Sequence, residues 1–234
     1  MIKLSDKNEI LVKNKYYPDG LRENDVVKYH YKNKSVILNE IGKSRAVLCI
    51  ATDINKYVIL RKFKGRDIYL TENNFDVFIH PRIISIFKEM NYITNEWCID
   101  IDAGIKTPEN KIKEAVSETL NVFRQLYELG WIDNLKENIR IVNTSTGYHV
   151  LGYMKKRESI INCYEDIKYF FADLKNKYYK ERGESNISID FSVMKPRGCR
   201  VVVGSLNRNG LACLDVTKYW KSFERFDAII KNKD

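Results

Sequence analysis

No apolar run in the 234 residues approaches the length of a membrane span, which excludes a helical membrane protein. No internal repeat and no low-complexity segment appears, so solenoids and disordered tracts are excluded as well. Cysteine is sparse: Cys49, Cys98, Cys163, Cys199 and Cys213 are odd in number, widely spaced, and never in a Cys-x-x-Cys pair. That spacing signals neither a zinc site nor a disulfide framework, and the five are expected to be small buried apolar residues. Met1-Ile2-Lys3-Leu4-Ser5-Asp6 lacks an apolar leader. The expected setting is therefore reducing and cytoplasmic, with no membrane partner.

What is present fits a soluble globular chain. Hydrophobic residues make up 44% and charged residues 30%, enough for a sizeable core in one domain. The net charge is +9, and it is uneven. Residues 1–66 hold 15 Lys and Arg against 7 Asp and Glu, an excess of 8 that leaves the remainder near neutral. A basic first third points to a polyanion-binding surface, although a lysine-rich solvated face gives the same count. Tyrosines alternate with basic residues there, at Lys15, Tyr16 and Tyr17 and again from Lys28 to Lys32. The mixture suits base stacking and the rim of a core equally.

Tyr16 to Gly20 reads as a turn from its Pro-Asp-Gly chemistry, and Leu21 to Tyr31 as a helix. Arg45 to Ala51 reads as a buried strand. Lys56 to Phe63 and Asp67 to Leu70 flank a hairpin with a basic tip, which makes Lys62, Lys64 and Arg66 nucleic-acid-binding candidates. Pro81 to Met90 is predicted as a short helix, followed by a strand ending near Asp102. Thr107 and Pro108 start a long amphipathic helix that Gly130 ends. Ile139 to Val142 and Tyr148 to Met154 read as strands. Tyr164 to Arg182 is predicted as a helix, Asn186 to Phe191 and Cys199 to Val203 as strands, and a last helix is capped by Asp215 or Thr217. The alternation predicts an α/β or α+β sheet carrying packed helices. The chain is expected to be a single catalytic domain, with 1–90 as a basic lobe and 91–234 carrying the motifs.

The chemistry centres on Asn95-Glu96-Trp97-Cys98-Ile99-Asp100-Ile101-Asp102-Ala103-Gly104. In a strand Asp100 and Asp102 share one face, with Cα atoms roughly 6.5–7 Å apart, while Ile99 and Ile101 take the other. Carboxylates that close repel, and a divalent cation between them relieves the repulsion. Read alone, the pair is equally a strand running into a solvated turn. Thr144-Ser145-Thr146-Gly147-Tyr148-His149 offers hydroxyls, a glycine and a histidine, which make either an anion cradle or a Ser/Thr turn. Asp190 closes another apolar strand, and Arg197 and Arg200 follow it as a phosphate clamp or a basic surface loop. Three strand-end acids suit a two-metal site for in-line phosphoryl transfer.

The order of Asp-Ile-Asp, Ser-x-Gly-x-His, a third acid and a basic strand resembles the archaeo-eukaryotic primase superfamily. Asn143 to Val150, with Tyr17-Pro18-Asp19-Gly20-Leu21 and Tyr29-His30-Tyr31, is similar to the polymerase domains of end-joining ligases. Val201 to Leu211 is similar to the small catalytic subunit of primases. Thr146 stands where the ligase-associated domains often carry a lysine. The resemblance implies an α/β fold with an N-terminal lobe and a lobe like an RNA-recognition motif, the active site lying between them. It also implies a DNA-directed nucleotidyltransferase, a primase-polymerase. Asp100, Asp102 and Asp190 would hold two Mg²⁺ or Mn²⁺ ions. Ser145, Thr146, Gly147, His149, Arg197 and Arg200 would bind the nucleoside triphosphate, and a DNA template and primer, or RNA, would be the partner. A non-catalytic nucleic-acid-binding module and a metal-dependent nuclease are the alternatives.

Overall fold

The computed structural model describes residues 10–14, 17–53, 56–178 and 186–230. In chain order the first elements are β1 (Ile10–Asn14), β2 (Tyr17–Arg22), α1 (Glu23–Lys32), α2 (Lys34–Ile41), β3 (Ala46–Asp53), β4 (Lys56–Leu60), β5 (Lys62–Phe63), β6 (Arg66–Asp67), α3 (Phe75–Phe78) and β7 (Ile83–Glu89). There follow β8 (Ile93–Ala103), α4 (Glu109–Glu128), α5 (Leu135–Asn138), β9 (Ile139–Asn143), β10 (Gly147–Ser159), α6 (Ile160–Phe170), α7 (Ala172–Tyr178), β11 (Ile187–Asp190), β12 (Cys199–Val201) and β13 (Leu214–Asp215). Short 3₁₀ turns lie at Ser192–Met194 and Arg225–Ala228. No helix among the described residues is long and apolar enough to cross a membrane.

The chain divides into two units. Of the described residues, the first takes those up to Lys88 together with Val201–Ala212 and residues 229–230; the second takes those of Glu89–Arg200 and Cys213–Ala228. The first unit is therefore discontinuous in sequence. Its four-stranded sheet runs β12-β7-β3-β4. Ile37, Ile41, Leu48, Phe75, Ile86 and Val202 pack together in its core. A buried pair, Arg82 Nε to Glu23 Oε1 at 2.9 Å, ties α1 to the start of β7.

Pro81 to Met90, predicted as a helix, is instead strand β7, paired with β3 and β12. Ile83, Ile84, Ser85 and Ile86 are all buried, as befits a strand covered on both faces. Such a strand shows no alternation, and its β-branched residues outweigh the helix-start signal of Pro81. The Pro-Asp-Gly turn is likewise overridden: Tyr17 to Gly20 lies within β2, whose register against β1 is irregular, and Gly20 supplies φ +85°. Tyr16 lies outside the described residues.

The second unit is built on a five-stranded sheet ordered β11-β8-β10-β9-β13. On one face Trp97, Ile99 and Ile101 of β8 are sealed from solvent. On α4, Ile112, Ala115, Val116, Phe123 and Leu126 are buried at helical spacing. The helix ends in a Schellman motif, with Trp131 N–H donating to the Leu126 carbonyl and Gly130 N–H to that of Tyr127. Gly130 supplies the left-handed φ of +79° that this ending requires.

The helix predicted from Tyr164 to Arg182 starts earlier, at Ile160, where the Ser159 hydroxyl caps the Asn162 N–H. It breaks at Phe171, whose buried ring packs edge-on against Phe123 and Phe191. Its expected end at Arg182 lies outside the described residues. The last predicted helix is absent among the described residues. Asp215 closes β13, and its carboxylate accepts from the Thr217 N–H and hydroxyl, turning the chain instead of starting a helix. The aromatics that follow divide, with Tyr219 48% exposed and Trp220 buried.

Gly152 of β10 faces Phe123 so closely that a Cβ there would fall 2.2 Å from the ring. Phe123 is fully buried and has nowhere to move. Gly152→Ala is therefore expected to destabilise by about 1–3 kcal/mol, read as a lower urea midpoint with an unchanged m-value.

Candidate active site

Register decides which side chains meet. Across the antiparallel pairs, Asp190 of β11 stands opposite Asp100 of β8, and His149 of β10 stands opposite Asp100 on its other side. Cross-strand partners share a face with Cβ atoms about 4.5–5.5 Å apart. Asp190, Asp100 and His149 thus form a row across three neighbouring strands, on the face opposite Ile99 and Ile101. One step along, Ser188, Asp102 and Gly147 form the next row. His149 Nε2 lies 3.3 Å from Asp100 Oδ1. Both residues are largely buried, and no hydrogen bond reaches Asp100 Oδ1 or His149 Nδ1 among the described residues.

Asp102 feels the crowding. It keeps part of its side chain in solvent, yet desolvation, then the charge of Asp100 and more weakly that of Asp190, push its carboxyl up to about 6. His149 and the Thr146 hydroxyl, which donates to Asp102 Oδ1 at 3.5 Å, act in the opposite direction. A carboxylate held above its ordinary range by desolvation and by like charges is a place where a cation lowers the energy. The donors present, carboxylate oxygens with one imidazole, suit a hard divalent ion. Asp190 is engaged locally, its oxygens accepting from the Ser192 N–H at 2.9 Å and from the Ser192 hydroxyl. Among the described residues no three His, Cys, Asp or Glu side chains converge as metal ligands.

The loop before His149 is tightly made. Ser145 takes φ +68°, its N–H donates to Asn143 Oδ1 at 2.8 Å, and its hydroxyl donates to the Thr144 carbonyl. Thr144 N–H closes on the Gly147 carbonyl at 3.0 Å, and Ala103 N–H reaches the Thr146 carbonyl at 3.0 Å. Gly147 is obligatory, because a Cβ there would fall 1.8 Å from the Ile101 carbonyl oxygen. Ser145 is fully buried, so its hydroxyl shapes the loop rather than facing solvent, while Thr146 is exposed beside Asp102.

The two arginines separate. Arg197 sits exposed in the turn between Lys195 and Gly198, at φ +64°. Arg200 is 1% exposed, with Nε 2.6 Å from Glu96 Oε1. Glu96 shares the face of Asp100 and Asp102, further back along β8, so this guanidinium is committed to a buried ion pair. Lys62, Lys64 and Arg66 are exposed on the β5–β6 hairpin of the first unit, where Lys64 lies over the Phe63 ring.

Sequence reasoning missed Glu96, Asn143, Glu109 and Arg225. Glu96 is legible in retrospect, since Glu96, Cys98, Asp100 and Asp102 follow the period of two. Arg225 carries no local signal, because it lies in irregular chain far from the motifs.

No family model matches the chain, and no curated protein matches it in sequence. Among solved structures it is similar to the polymerase domain of Mycobacterium tuberculosis Ligase D in complex with DNA, with a TM-score of 0.68 at 11% identity over 99% of this chain and 91% of that one. The likeness extends end to end and shows the fold.

Asp102 also gives a pH test. Its folded-state value near 6 lies above the unfolded value near 4, so the native form binds the extra proton and the penalty for ionising it grows as pH rises from about 4 through about 6. In EDTA, Asp102→Asn is expected to melt above the parent at pH 7.5, with the difference closing at pH 4, as read by calorimetry.

Proposed function

We propose, from the premise of an archaeo-eukaryotic primase-like fold, that this protein is a nucleotidyltransferase that adds nucleotides to a 3′-hydroxyl on a nucleic-acid template. The observation that carries the reading is the row of Asp190, Asp100 and His149 beside Asp102 and the Thr144–Gly147 loop. A pure binder of polyanions gains nothing from clustered carboxylates, which repel the ligand. Asp100 and Asp102 would hold divalent ions, Mg²⁺ or Mn²⁺, with Asp190 joining them once its carboxylate is released from Ser192. Such ions, when bound, activate the attacking hydroxyl and neutralise charge on the leaving pyrophosphate.

The chain's own groups supply the rest. His149 is placed to donate a proton to a phosphate oxygen next to the acids, and Thr146 presents a hydroxyl at the same edge. Arg197 adds positive charge from its exposed turn. Arg200 and Ser145 act beneath the surface, the one neutralising Glu96 and the other fixing the loop. Lys62, Lys64 and Arg66 supply phosphate contacts for the nucleic acid, without reading its sequence.

Incubation with a primer–template, Mn²⁺ and nucleoside triphosphates is expected to lengthen the primer. Asp100→Ala is expected to lower extension by about 10²–10³-fold or more while leaving template affinity equal or higher. Extension by Asp100→Ala at the parental rate overturns the assignment. Shortening of the primer by the parent makes the protein a nuclease, and retention without turnover makes it a binding module. Replacing Lys62, Lys64 and Arg66 by alanine is expected to flatten the dependence of log K on log salt by close to one unit for each phosphate no longer neutralised, as measured by fluorescence anisotropy.

A further inference from the structure

The guanidinium of Arg225 is almost completely buried, although the residue belongs to a single 3₁₀ turn near the end of the described chain. A buried cation needs several partners to compensate its desolvation. One is Glu109, with Oε2 3.4 Å from Arg225 Nε. The others are backbone carbonyls. Nη2 donates to Thr107 at 2.9 Å, to Gly104 at 3.2 Å and to Ile105 at 3.5 Å, while Nη1 donates to Thr146 at 3.4 Å and to Ala103 at 3.5 Å. Phe226 backs the planar group from 4.5 Å.

These carbonyls belong to two loops. Ala103 is the last residue of β8, next to Asp102, and residues 104–107 form the turn that leaves it. Thr146 lies in the loop that leads into His149, and its carbonyl also accepts from the Ala103 N–H. The backbone of Arg225 reaches the other end of that loop, for its carbonyl accepts from Asn143 Nδ2 at 3.0 Å, and Asn143 Oδ1 holds the Ser145 N–H. Glu109 extends the clasp to β10, where its Oε1 accepts from the Tyr148 hydroxyl at 2.7 Å. Tyr148 directly precedes His149.

We infer that Arg225 is a positioning residue that fastens the exit of the acidic strand to the loop preceding His149, and so sets the spacing of Asp102 from the nucleotide-binding edge. Only a planar fork with five N–H groups can serve carbonyls on both loops while facing a carboxylate. A lysine ammonium keeps the charge, and with it the pair to Glu109, but cannot span the two loops. The role in catalysis rests on the proposed nucleotidyl transfer; the fastening itself does not.

Arg225→Lys is the decisive variant, because it retains the buried charge and is expected to fold, as checked by thermal unfolding. Amide hydrogen exchange read by NMR is expected to speed up at Ala103 and Thr144 by about tenfold or more, with Ile99 and Val150 in the sheet centre unchanged. Mn²⁺ affinity, measured by electron paramagnetic resonance, is expected to fall several-fold, and the KM for nucleotide to rise more than kcat drops. Unchanged exchange at Ala103 and Thr144 overturns the inference. Faster exchange with parental Mn²⁺ affinity also overturns it, leaving Arg225 a purely structural clasp. A parent that neither binds Mn²⁺ nor extends primers counts against nucleotidyl transfer, and the exchange contrast then decides the fastening alone. If Arg225→Lys fails to fold, the same measurements on Asn143→Asp, which keeps the acceptor for the Ser145 N–H and loses the donor to the Arg225 carbonyl, replace it with the same expected and overturning outcomes.

Discussion

The register of β11, β8 and β10 is the constraint on which the candidate site depends. Side chains in a strand alternate with a period of two, so a slip of one residue in either pairing would turn a partner of Asp100 to the opposite face. Burial of Ile99, Ile101 and Val150 against the helices excludes such a slip, because it would bring carboxylates into the apolar layer. The packing that stabilises the second unit and the arrangement that crowds its acids are therefore set by one alignment. Asp100 is flanked in register, and Asp102 is driven toward the protonated form first by desolvation and then by the charges of Asp100 and Asp190.

Buried charge elsewhere in the chain is compensated locally. Arg200 faces Glu96, Arg225 faces Glu109 and a set of carbonyls, and Arg82 faces Glu23 in the first unit. Each guanidinium is sealed beside an acid, the arrangement in which loss of one partner is most costly. Asp100 and Asp102 differ, because among the described residues no arginine or lysine pairs with them.

What the sequence revealed follows from the distance over which each signal acts. Strand β8, helix α4 with its Gly130 ending, and the strand–loop–strand around Ser145 were legible because alternation, helical spacing and turn chemistry are local. The candidate acids and His149 were legible for the same reason, as motif residues at strand ends. Strand β7 was not, since a strand buried on both faces has no period to read. The chain after Asp215 was not, because its aromatics are placed by packing and Arg225 by carbonyls 79 to 122 residues away. Arg200 reads in sequence as part of a phosphate clamp or a basic surface loop, and only its partner on β8 shows why it is internal. The fold expectation holds end to end, in an alignment where 11% of residues are identical.

The first unit is assembled from separate stretches of chain, with Val202 in its core beside Ile37 and Ile86. During synthesis the opening 88 residues emerge with that core incomplete, and it cannot close until the segment ending at Ala212 has been made. Contacts of such long sequence separation form slowly. The apolar faces of β3 and β7 thus wait, open to chaperones or to aggregation, while β8, β9, β10 and β11 of the second unit's sheet are being translated. The order of the chain makes maturation of the basic unit wait on synthesis of the strands that carry the carboxylates.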